Sequence, residues 1–174
     1  NDIYSTTSVS MGYEVQISAI QLVTAFASLV NGGNLWHPRL IDRYTRGDEV
    51  IRKPPRLIQN SVKPETSAMM RQILLRTVNE GTGRYLKMKG FEFGGKTGTA
   101  DMDPLYTKKD YLASFEAFAP ANDPEIVVLV MIEKPRAGRY YGGSVAGPVV
   151  ARILRRYFSV PAKPEFERLK FKGW

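Results

Sequence analysis

The chain has 174 residues, 43% of them hydrophobic, and its 25 Lys and Arg against 17 Asp and Glu leave a formal net charge of +8. That length fits one domain or a large piece of one. With no cysteine and a single histidine, a disulfide framework is excluded and neither a metal site nor a cofactor is expected.

No apolar run reaches the roughly 18 residues that a membrane-spanning helix requires. The opening "NDIYSTTSVS" has neither an initiator Met nor the apolar core of a signal peptide, as expected of an excised segment. The cations are scattered through "IRKPPR", "YTKKD" and "RILRRYF", which describes a solvated basic surface and not a nucleic-acid site.

In chain order, residues 17–30, "ISAIQLVTAFASLV", predict an apolar core helix. Ser18 is placed to start it, and "NGG" at 31–33 ends it with residues that tolerate positive φ. Residues 34–60, broken by Pro38, Pro54 and Pro55, suggest a hairpin-like excursion. A second helix is predicted over Pro64 to Asn79, with Pro64 at its first turn, Glu65 near its positive end and Met69, Ile73 and Leu74 as its buried stripe. "EGTG" stops it.

Three strand-like runs follow at 91–100, 111–120 and 125–133, the last two close enough in sequence for an antiparallel hairpin. A closing helix is expected from about Ser144, a candidate cap, to Phe158, with Pro148 in its first turn. Residues 1–160 are expected to form one unit and 161–174 a polar tail. His37 is expected to be surface structure, Tyr140 to Gly143 a structural approach to the last helix, and 101–110 a loop that shapes access to a neighbouring site.

The informative stretch is "GFEFGGKTGTA", residues 90–100. Gly90, Gly95, Lys96 and Thr97 satisfy G-x-x-x-x-G-K-[ST], the phosphate-loop pattern. A phosphate loop needs a buried strand before it and a helix directly after. Here "RYLKMK" precedes it and "GTADMDP" follows. The links between the three strands show no helix, as parallel pairing would require. The nucleotide reading fails on context.

Read as an edge strand, the same stretch carries Thr97 and Thr99 on one face, where two hydroxyls can receive a carboxylate. Lys96 adds positive charge, and the glycines leave bare surface for a second backbone to approach. The N–H of Thr99 is a candidate oxyanion donor, a role worth about 3–4 kcal/mol of transition-state stabilisation. A glycine-rich edge strand with no catalytic role fits these residues equally well.

The chain resembles the C-terminal half of the transpeptidase domain of class B penicillin-binding proteins, the cell-division type most of all. K-T-G is a motif of that family. "GYEVQISAIQLVTAFASLVNGG", "NEGTG", "GGKTGTA", "ASFEAFAPANDPEIVVLVMIEKP" and "YYGGSVAGPVVARI" carry the resemblance in order, from residue 8 to 158. The resemblance implies an α+β fold, an antiparallel sheet flanked by helices as in penicillin-binding proteins and serine β-lactamases, with only its C-terminal part present. It implies an enzyme on the extracytoplasmic, periplasmic face of the bacterial membrane, anchored through a segment outside this chain. Such an enzyme cross-links peptidoglycan stem peptides from lipid-linked precursors through a serine acyl-enzyme, and β-lactams acylate it.

On this resemblance Lys96 is catalytic, Thr97, Gly98 and Thr99 bind the substrate or β-lactam, and the Thr99 N–H completes an oxyanion hole. The family's S-x-x-K and S-x-N motifs occur nowhere in the 174 residues and are expected upstream, so the segment alone is expected to be inactive. A five-stranded sheet would take two strands from outside the chain. "EIVVLVMIE" would then be a central strand seeking the N-terminal half of the domain, or a second copy, as its partner. Other division proteins are expected partners of the parent. The alternative is a non-catalytic cell-envelope binding module with the same fold.

Overall fold

The computed structural model describes residues 6, 7, 9, 12, 15–102, 110–136 and 138–160. The proposed tail at 161–174 and most of the 101–110 loop lie outside the described residues. Two compact units are present, residues 1–71 and 72–174.

In the first unit, α1 spans Ala19–Val30. Ser18 caps it as expected: the Gln21 N–H donates to Ser18 Oγ at 3.4 Å, while the Ser18 N–H donates to Gln21 Oε1 at 2.8 Å. This reciprocal capping box satisfies two N–H groups that the first turn leaves without partners. The chain leaves α1 through Gly32 and Gly33, both at positive φ. At Gly33 a Cβ would lie 1.9 Å from the Val62 carbonyl oxygen, so only glycine fits.

The expectation of a wholly buried helix is corrected. Phe26, Ser28 and Val30 are buried, but Ile20 is exposed, because only the C-terminal turns are covered. There Ser67 Oγ donates to the Leu29 carbonyl at 2.9 Å and Arg71 to that of Val30 at 3.2 Å, satisfying carbonyls the helix end leaves open.

The excursion resolves into two antiparallel pairs. β1 (Asn34–Trp36) pairs with β4 (Leu57–Asn60), and between them β2 (Arg43–Arg46) and β3 (Glu49–Arg52) form a hairpin through Gly47 and Asp48.

α2 covers Pro64–Asn79, the predicted boundaries. Of its expected buried stripe, Leu74 is borne out and Met69 and Ile73 are corrected. Ser67, Leu74 and Val78 are buried, whereas Met69 and Ile73 are exposed. Positions 67, 74 and 78 share one helical face, and the residues at 69 and 73 project away from it.

The second unit is built on one antiparallel sheet in the order β5-β6-β7: Gly94–Asp101, Tyr111–Ala119 and Ile126–Glu133. β6 is central, and its Ala113, Phe115, Ala117, Phe118 and Ala119 are all buried. The run at 126–133 pairs with β6 alone and is an edge strand of the described sheet.

The chain closes with a short turn of helix, α3 (Gly142–Val145), and with α4 (Gly147–Tyr157), which carries Pro148 in its first turn as predicted. Ser144 is not the cap. It sits inside α3 and its hydroxyl donates to the Tyr141 carbonyl at 2.9 Å. Val150, Ala151 and Leu154 bring α4 into one core with Phe115, Ala117, Val128 and Phe93. Burying each Phe or Leu there contributes about 2–3 kcal/mol.

Candidate active site

β5 carries the K-T-G-T residues and pairs with β6 from Gly94↔Phe118 to Asp101↔Tyr111. Its other edge has no strand partner among the described residues. Lys96 is exposed, and Thr97, Gly98 and Thr99 are half-buried. The strand begins at Gly94, not Phe91. Phe91 instead bridges to Met88, and Phe93 lies in the core.

Strand alternation places Thr97 and Thr99 on one face, as predicted, and both find partners there. Thr97 Oγ1 lies 3.0 Å from Thr82 Oγ1. Thr99 Oγ1 accepts the Gly142 N–H at 3.1 Å. A hydroxyl that accepts a backbone N–H keeps its own proton for donation, so the Thr99 hydroxyl retains one proton to give. The Thr82–Thr97 pair likewise keeps one proton to donate.

Gly142 must be glycine for this approach: a Cβ would sit 2.1 Å from the Ser114 carbonyl oxygen and 2.3 Å from that of Gly98. Thr82 belongs to "EGTG" and Gly142 to "YYGG". Both segments were legible as resemblances, yet nothing in either predicted a hydrogen bond to the K-T-G-T strand.

The strand glycines are less bare than expected. A Cβ at Gly94 would meet the Phe118 ring at 2.3 Å, at Gly95 the Glu116 carbonyl at 2.5 Å, and at Gly98 the Ser114 hydroxyl at 2.4 Å. They accommodate β6 as well as leaving the outer edge clear.

Lys96 points to the opposite face and curls along its own strand, Nζ donating to the Thr97 carbonyl at 2.7 Å. Directly across the ladder stands Glu116, only 8% exposed, with Oε1 lacking any hydrogen-bond partner among the described residues. Burial pushes its carboxyl up to about 7. Sequence reading passed over this residue.

Beside the site Tyr140 stacks on Tyr111 with centroids 4.3 Å apart, and its hydroxyl donates to that of Tyr141 at 3.1 Å. His37 is exposed in the first unit, its Nδ1 2.9 Å from the Pro38 carbonyl. Among the described residues no cluster of three His, Cys, Asp or Glu side chains forms a metal site, and no helix is long and apolar enough to cross a membrane.

An antiparallel sheet backed by a closing helix, with Lys-Thr-Gly-Thr on its free edge, is the architecture of penicillin-recognising transpeptidase domains. The model of the penicillin binding protein transpeptidase domain matches residues 2–155, and the chain belongs to that family. It is 38% identical over 152 residues to stage V sporulation protein D of Bacillus subtilis, covering 84% of this chain and 23% of that protein. A probable peptidoglycan D,D-transpeptidase, PenA of Neisseria flavescens, is 33% identical over 163 residues, covering 90% of this chain and 38% of its own length.

The transpeptidase domain of penicillin-binding protein 3 from Burkholderia pseudomallei superposes with a TM-score of 0.67 at 31% identity, over 87% of this chain and 46% of that one. The α+β fold and the class B resemblance are borne out. The chain spans well under half the length of the curated relatives described here, 23% and 38%.

Proposed function

We propose that residues 1–160 are part of a peptidoglycan D,D-transpeptidase and supply the strand along which the stem peptide, or a β-lactam, is bound. The observation that carries this reading is the K-T-G-T strand, on a sheet edge without a strand partner among the described residues, with Thr99 Oγ1 accepting the Gly142 N–H and Thr97 Oγ1 3.0 Å from Thr82 Oγ1.

Thr97 and Thr99 receive the terminal carboxylate by hydroxyl donation. Gly98 keeps the strand approachable, so the peptide gains main-chain hydrogen bonds along it. The Thr99 N–H stabilises the tetrahedral oxyanion, and Lys96 holds positive charge over the site and supports proton transfer. The serine that attacks the penultimate carbonyl, expels D-Ala and forms the acyl-enzyme lies in polypeptide outside these residues, as does the anchor holding the enzyme at the periplasmic face of the membrane. Stem peptides of lipid-linked precursors, β-lactams, the N-terminal half of the domain and other division proteins are its partners.

The test is acylation by a fluorescent penicillin, applied to this chain alone and to the intact parent. Labelling of the parent alone supports the assignment. Labelling of neither contradicts it, and labelling of the chain alone places the nucleophile among its own serines.

A further inference from the structure

Glu116 is a buried carboxyl with no assigned role in the reaction, and among the described residues its surroundings are short of cations. On its face of the sheet, β5 offers Lys96 directly opposite, with Gly94 and Gly98 diagonal to it. β7 offers Leu129 opposite, with Val127 and Met131 diagonal; Glu133 lies farther along, opposite Leu112. α2 reaches this face where the Leu75 backbone meets Gly94. It carries Arg76, paired with Glu80 at 3.0 Å, and Arg71, bound to the Val30 carbonyl. The Lys134–Asp110 ion pair sits at the far end of the strands. α4, with Arg152, Arg155 and Arg156, packs on the other face of the sheet, against Phe115 and Ala117.

A buried carboxylate without a counter-ion is costly, and residues directly opposite in an antiparallel ladder have Cβ atoms about 5 Å apart. Among the described residues Lys96 is therefore the cation placed to reach it, and it is also the lysine of the K-T-G-T strand. Its ammonium now bonds the Thr97 carbonyl, and the Glu116 position lies directly across the ladder from it.

We propose that Glu116 is a positioning residue for Lys96: its ionised carboxylate draws the ammonium across the β5–β6 ladder and away from the substrate, and its protonated form releases it. The inference rests on the assignment of Lys96 to the transpeptidase site. Positive charge over the bound carboxylate is then greatest when Glu116 is neutral. Burial already places the proton loss near neutrality.

The experiment is the second-order acylation rate of the intact parent with a fluorescent penicillin across about pH 5.5–8.5, for wild type, Glu116→Gln and Glu116→Val. Wild type is expected to lose rate through an inflection near 7. Both variants are expected to lack that inflection, to match wild type at the acid end, and to acylate roughly threefold to tenfold faster at about pH 8. A variant that merely misfolds loses rate equally at every pH, and with Gln and Val both doing so the proposal is overturned. Superposable pH profiles for all three proteins overturn it too while leaving the transpeptidase assignment intact. A parent that no penicillin labels at any pH removes both.

Discussion

The Gly142 N–H donates to Thr99 Oγ1 at 3.1 Å, joining residues 43 positions apart. The turn of α3 thereby holds one hydroxyl of the K-T-G-T strand, and it comes close enough only because Gly142 lacks a Cβ. Gly142→Ala forces the turn off β5 and β6. It is expected to cost about 2–3 kcal/mol of stability and at least tenfold in penicillin acylation of the parent. Ser144→Ala, which removes only a local bond to the Tyr141 carbonyl, is expected to stay within about 1 kcal/mol in the same denaturant titration.

Thr99→Val keeps the shape of the side chain and removes its hydroxyl. The lost donation to the ligand carboxylate should lower acylation by about tenfold to a hundredfold, with the Gly142 N–H left unpaired at a further cost of about 1–2 kcal/mol in stability. Thr97→Val, whose partner Thr82 can turn to solvent, should reduce acylation with a smaller stability loss. Rate measurements beside thermal melts separate the two, and equal stability losses would contradict the assigned hydrogen bonds.

Glu116 gives stability an unusual pH dependence. Its folded-state carboxyl is raised from the ordinary 4.5 to about 7 by burial, so the folded protein holds this proton more tightly than the unfolded chain. The associated stability is fully present below 4.5 and is lost as pH rises through about 7. Glu116→Gln should match wild type near pH 5 and exceed it by about 1–2 kcal/mol near pH 8. Denaturant unfolding at the two pH values checks this; a gap that does not change with pH excludes it.

β7 carries seven consecutive apolar residues, Ile126 to Ile132, on the edge of the described sheet, with Met131 exposed. An apolar edge with unpaired backbone groups is a template for further pairing. The isolated chain is therefore expected to associate with itself, or with a separately supplied N-terminal half of the domain. Sedimentation velocity that returns a single monomeric species at micromolar concentration would reject this.

How much was legible varies by the range of the interaction. The ends of α2 were readable to the residue because Pro64 and the glycines after Asn79 are local signals. Its buried face was legible only at Leu74, because Ser67 is buried to bond Leu29 and Gly32, 38 and 35 positions away. Hydrophobicity alone favoured Met69 and Ile73. The same division holds at the site. Lys96, Thr97, Gly98 and Thr99 form one contiguous pattern, whereas Thr82, Gly142 and Glu116 join it only through the fold. Glu116 in particular occupies a central-strand position that an alternation pattern assigns to any β-former.

Gly94, Gly95 and Gly98 each back onto an occupied space in β6, which narrows the ways this strand can vary. Any larger residue at those three positions must displace an aromatic ring, a carbonyl or a hydroxyl before it affects a ligand. Drift in ligand preference is therefore channelled to the side chains that already project, Lys96, Thr97 and Thr99, and to the segments that brace them at Thr82 and Gly142. Forms of this protein with altered drug tolerance should carry their substitutions there, with the three glycines unchanged.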